Sequence, residues 1–164
     1  MAYELIETIE LTSDAASIEF TNIPQDGTDL ALRISVKTSR TIGSTDNLRI
    51  DKNGSTQYVT TGPSLYADPV YSIGSGNGSY IYATSSGGDT QTWTNLEAYI
   101  SNYATTKAQN VHVYGAAHNY VYDPFITQMS TNYASGSAIT SLKVRDLSTD
   151  NIVSGSIVSL YKIY

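Results

Sequence analysis

The chain has 164 residues, enough for one domain with a proper core and cramped for two. Charged residues make up only 15%, against a usual share of about 25%. Ser, Thr, Gly, Asn and 14 Tyr fill the deficit, with only four Pro, which argues against a disordered chain. The net charge of −6 repels phosphate backbones and speaks against a nucleic-acid partner. The absence of Cys removes disulfides, thiolate nucleophiles and Cys-based zinc sites. No apolar run approaches the roughly 18 residues of a spanning helix, and the first residues carry neither the basic nor the apolar part of a secretory leader. The expectation is a soluble chain made in the cytoplasm, with no membrane partner.

Period-two alternation dominates from the first residues onward. Leu5 to Leu11 reads as a first strand, so residues 1–12 form either an arm or an edge strand, and 13–164 a single domain. Ser17-Ile18-Glu19-Phe20 is a short strand with Ile18 and Phe20 on one side. The turn cluster Asn22 to Gly27 follows. Over Asp29 to Lys37, Leu30, Leu32, Ile34 and Val36 point one way and Ala31, Arg33, Ser35 and Lys37 the other, giving one buried and one wet face. Leu48 and Ile50 mark another strand. Its end at Asn53-Gly54 predicts a hairpin with Gln57 to Thr60 as the return.

Residues 62–78 read as loop, Ser79 to Ala83 as a strand and 85–89 as a turn. Thr92 to Ile100 and Asn110 to Gly115 alternate again. Pro124 to Asn132 is the best place for an irregular loop or a short helix. Ala138 to Arg145 and Ser156 to Ile163 complete the set. About nine or ten short strands with turns between them predict an all-β fold, an antiparallel two-sheet sandwich of jelly-roll-like form.

Candidate chemistry is thin. His112 and His118 could share an acid–base or metal site, but each also reads as a surface imidazole. Ser13-Asp14 and Ser148-Thr149-Asp150 lie in turns, where their ordinary work is to satisfy local amides. Asp51-Lys52-Asn53-Gly54 resembles the start of a calcium loop without its closing Glu. No nucleophile elbow and no metalloprotease helix motif are present. The expectation is no enzyme activity, no cofactor and no metal. Tyr stands out instead, because its ring offers rigid contact area and its hydroxyl a polar tip. Tyr66, Tyr71, Tyr80, Tyr82, Tyr99 and Tyr103, with Trp93, form the candidate contact surface. Sheet structure, a protein interface and a sugar platform all suit these residues.

Three stretches carry a family resemblance. Ser17-Ile18-Glu19-Phe20-Thr21-Asn22-Ile23-Pro24-Gln25 runs almost directly into Thr28-Asp29-Leu30-Ala31-Leu32-Arg33-Ile34-Ser35. Ala138-Ile139-Thr140-Ser141-Leu142-Lys143-Val144 comes late, and Gly155 to Tyr164 closes the chain. This layout resembles small virion structural proteins of tailed bacteriophages, notably those of aquatic and cyanobacterial hosts. It covers about a quarter of the chain and departs from the usual pattern at Lys162, where Gly is common. The resemblance implies a jelly-roll-like sandwich on the virion, most readily a capsid decoration (cement) protein that stabilises the outer capsid surface. The implied partners are the major capsid protein and copies of itself as a homotrimer. The alternative is a tail fibre or receptor-binding component that contacts host glycan.

Overall fold

Leu30, Leu32, Ile34 and Val36 are all buried, and the strand that carries them sits in the middle of the larger of two sheets. The computed structural model describes residues 2–41, 45–54, 59–65, 70–73, 81–87, 92–119, 122–133 and 136–164. Among these described residues twelve strands follow in order: β1 (Tyr3–Glu10), β2 (Ser17–Phe20), β3 (Asp29–Val36), β4 (Thr45–Lys52), β5 (Val59–Leu65), β6 (Val70–Ile73), β7 (Ile81–Thr84), β8 (Thr94–Ile100), β9 (Gln109–Asn119), β10 (Tyr122–Tyr133), β11 (Leu142–Asp146) and β12 (Ile157–Ile163). One sheet has the order β1-β12-β3-β8-β9-β10-β5-β6 and the other β2-β11-β4-β7. Every named pair is antiparallel.

The topology resolves into a core and two insertions. Without β5, β6, β9 and β10, the sheets read β1-β12-β3-β8 and β2-β11-β4-β7. That is the eight-stranded jelly roll, two Greek keys wrapped into facing sheets. The hairpin β5–β6 leaves the chain between β4 and β7, and β9–β10 leaves it between β8 and β11. Both add to the same edge of the larger sheet beyond β8. The fold is therefore an all-β antiparallel sandwich of jelly-roll type whose large sheet is extended by insertions.

Ile18, Phe20, Leu48, Ile50, Ile81, Leu142 and Val144 come from the small sheet and meet Leu30, Leu32, Ile34, Leu96, Ala98, Val158 and Leu160 from the large one. A buried polar contact also ties the sheets. Lys52 Nζ, on β4, donates to Gln109 Oε1 on β9 at 2.6 Å and lies 4.8 Å from the ring centroid of Tyr133 on β10. Burial lowers the Lys52 pKa, since the charged form loses its water. The Gln109 amide donates in turn to the carbonyls of Thr105 and Ser137, which sets its orientation.

Three expectations need correction. Residues 62–78 are not all loop, because β5 and β6 lie within them. Pro63 pairs with Ser72 of β6 and falls where the β5–β10 ladder breaks between Thr61–Ser130 and Ser64–Thr127, as expected of a residue with no N–H to donate. The stretch from Pro124 to Asn132 is strand β10, neither loop nor helix. Pro124 falls at the register shift between Tyr122 and Phe125, a bulge position where proline fits. Asn53-Gly54 turns with φ of 47° and 68°, but β4 does not pair with β5. Asn53 instead holds the approach to β11: its Oδ1 accepts from Thr140 N at 2.8 Å and Ser141 N at 3.1 Å, and its Nδ2 donates to Ala138 O at 2.8 Å. The chain then crosses to the other sheet.

Residue 162 gains a structural account. Lys162 Nζ reaches Asp26 at 2.9 Å and Glu4 at 3.3 Å and sits 5.1 Å from the Tyr164 ring centroid. A Gly there would lose the clasp between β1, β12 and the turn before β3.

Candidate interaction surface

The large sheet has one face on the core and one on solvent, and the register fixes what the solvent face carries. Three rows of cross-strand neighbours run across it. Leu5, Tyr161, Ala31, Tyr99, His112 and Ser130 form one. Thr8, Ser159, Arg33, Glu97, Tyr114 and Gln128 form the second. Glu10, Ile157, Ser35, Asn95, Ala116 and Ile126 form the third. Leu5, Tyr114, Ile126 and Ile157 are all exposed, at 52%, 58%, 54% and 38%. Tyr3 lies beside them, also exposed, with its ring edge-on to Tyr161 at 6.4 Å and 74°.

Strand β1 reaches this face through a bulge between Leu5 and Glu7. The extra residue lets Ile6 and Ile9 pack against the core while Leu5 and Thr8 face outward. The N-terminal segment thus forms the edge strand of its own sheet.

The polar groups on the face are held in place. Tyr114 Oη donates to Glu97 Oε2 at 2.9 Å, and this bond raises the Tyr114 pKa. Arg33 stands over the Tyr161 ring at 5.3 Å. Tyr99 donates to Asp29 Oδ2, and Asp29 Oδ1 accepts from Asn102 N at 2.7 Å. Burial first, and the Asp29 bond second, push the Tyr99 phenol up to about 12, so it remains a neutral donor at physiological pH. A shallow cavity of about 430 Å³ opens between Arg33, Ser35, Glu97, Tyr114, Ile157 and Ser159.

The expected contact residues divide. Tyr99 lies on this face, half-buried. Tyr103 does not: it is fully buried, its hydroxyl donates to Pro24 O and accepts from Gly27 N at 3.1 Å, and burial raises its pKa. It belongs to the core and cannot meet a partner. Trp93 is half-buried just before β8, with its ring 3.3 Å from where a Cβ on Gly155 would sit. Tyr71 and Tyr82 fall on β6 and β7, while Tyr66 and Tyr80 lie outside the described residues. His112 is exposed on the same face as Tyr99, and His118 falls on β9. Tyr114 is among the Tyr residues that stand out in the sequence, whereas Tyr3, Leu5, Ile126 and Ile157 escape it. Counting outward positions from Leu30 through the pairing would have found them, but the pairing itself is not in the sequence.

No family model matches the chain, and no curated protein matches it. Among solved structures, one of a protein of unknown function from Shewanella oneidensis MR-1 is similar over 98% of this chain and 75% of that one, with 14% identity and a TM-score of 0.34.

Proposed function

We propose that this chain is a non-enzymatic assembly protein, a virion structural subunit of the capsid-decoration type, and that the solvent face of its large sheet packs against neighbouring copies. The observation that carries the reading is the gathering of Leu5, Tyr114, Ile126 and Ile157 on one face. Burying a fully exposed aliphatic or aromatic side chain gains about 1.5–3 kcal/mol, so these partly exposed ones gain roughly half of that each. They are spread over four strands of that face with polar neighbours between them, a mixed surface of the kind found at protein contacts. Arg33 and Glu97 stand side by side in it, so the face carries both signs and suits another copy of itself better than a strongly charged partner. The segments that resemble phage virion proteins supply β2, β3, β11 and β12, four strands of the jelly-roll core. Many weak contacts repeated by symmetry then give the avidity that a shell-stabilising subunit requires.

Protein mass and density maps of purified particles test the virion part. The reading expects many symmetry-related copies on the outside of the shell, and absence of the chain from mature particles overturns it.

A further inference from the structure

The alternation that buries Leu48 and Ile50 on β4, and Leu142 and Val144 on β11, also turns two carboxylates inward at one end of the small sheet. Asp46 comes two residues before Leu48, and Asp146 two residues after Val144. Both are sealed from solvent, at 1% and 4% exposure. Asp46 Oδ1 accepts from Asn47 N at 2.8 Å and from Arg40 at 3.3 Å. Asp146 Oδ1 accepts from Ser148 N at 2.6 Å and from the Ser148 hydroxyl. The other oxygen of each, Oδ2, is buried with no donor among the described residues. One oxygen of Asp46 nonetheless lies within 4.8 Å of one from Asp146. Facing buried acceptors of like charge are costly unless something positive lies between them.

A third carboxylate completes the arrangement. Asp150 sits on the β11–β12 connection, and one oxygen from each of Asp46, Asp146 and Asp150 lies within 4.8 Å of the others. Calcium–oxygen distances of about 2.3–2.6 Å place ligands up to about 4.6–5.2 Å apart, so three oxygens within 4.8 Å of one another are in the range that one calcium sphere spans. Magnesium, at about 2.0–2.1 Å, demands a tighter set. A cavity of about 260 Å³ lined by Arg40, Thr41, Ser148 and Asp150 opens beside the cluster. It leaves room for the waters a calcium ion needs to reach six to eight oxygens.

We propose that Asp46, Asp146 and Asp150 hold a calcium ion that pins the β11–β12 connection to the start of β4. This reverses the expectation of no metal, and it stands apart from the assembly reading. The connection is already laid against the segment after β3: Ser39 N donates to Asn151 O at 2.8 Å, and Asn151 N to Ser39 Oγ at 3.0 Å. Calcium adds the third fixed point. The ion binds the folded protein and not the unfolded chain, so it raises stability with concentration.

Calorimetric titration of the full chain with CaCl₂ near neutral pH tests this. The expected result is one calcium per chain, with Kd on the order of 10⁻⁴ M or tighter and magnesium at least about tenfold weaker. Asp150→Asn, a change on a half-buried loop, should weaken calcium at least about tenfold and leave the melting temperature in chelator unchanged. Asp146→Asn should melt higher than the parent in chelator, where it removes a facing charge, and lower than the parent in calcium, where it forfeits a ligand. No heat and no melting shift at about 10 mM CaCl₂ overturns the site. So does calcium binding that survives both substitutions, or an Asp146→Asn gain that is the same with and without calcium.

Discussion

The two sheets share one core but turn opposite surfaces to the outside. On the small sheet the outward positions are charged and matched. Asp51 receives Arg49 and Arg145, each at 2.6 Å, and Lys143 reaches Glu19 at 2.9 Å. On the large sheet the outward positions carry Leu5, Tyr114, Ile126 and Ile157 beside the Arg33–Glu97 neighbours. One face satisfies itself with its own ions; the other leaves apolar surface without cover. In a chain with only 15% charged residues, that distribution teaches where contact is to be sought. Composition alone pointed to the number of Tyr, whereas the pairing shows that position matters more: Tyr103 is core and Tyr114 is surface.

The largest expected effect comes from opening the matched face. Asp51→Ala leaves the buried Arg49 and the half-buried Arg145 side by side without their shared carboxylate. Urea unfolding should show a loss of about 3 kcal/mol. A loss under about 0.5 kcal/mol would mean that the network is surface decoration.

Much smaller effects are expected on the open face. Tyr114→Ser with Ile126→Ser removes two exposed side chains, and the stability of an isolated chain should stay within about 0.5 kcal/mol of the parent. A large loss would show that these residues support the fold and would erase the contrast between the faces.

The smallest effect concerns the edge of the large sheet. The hydrogen bond from Lys162 lowers the Asp26 pKa from its ordinary 3.8, and bonds from Tyr164 and Lys162 lower that of Glu4 from 4.5. A lowered carboxyl pKa stabilises the fold at and above the ordinary value and loses that contribution as pH falls through the lowered one. Hydrogen exchange at β1 should therefore be unchanged from neutral pH down to about 4.5 and show weaker relative protection below about 4. Lys162→Met should abolish that pH step.

The fold was legible wherever alternation is clean and the strand is flanked by ordinary turns, as at Leu30 to Val36 and Leu142 to Val144. It was illegible at β5, β6 and β10, where Pro63 and Pro124 imitate loops. The ladder gap at Pro63 and the bulge at Pro124 exist only after the strands pair. The Asn53-Gly54 turn misled for a related reason. Its backbone suits a hairpin, but Asn53 spends its side chain on Thr140, Ser141 and Ala138, more than 80 residues away. The contact face needed the register of six strands before its members could be grouped. The acidic cluster was closer to reach. Asp46 shares the parity of Leu48, and Asp146 that of Val144, so two carboxylates at core positions could have been read from alternation alone. Asp150 joins them only through the folded β11–β12 connection.

Sedimentation equilibrium of the parent chain and of the Tyr114→Glu, Ile126→Glu variant at matched concentration tests the assembly claim most directly. A trimer is expected for the parent, in line with the virion resemblance, and a monomer of unchanged circular dichroism for the variant. A parent that stays monomeric, or a variant that keeps the parent's mass, would contradict it.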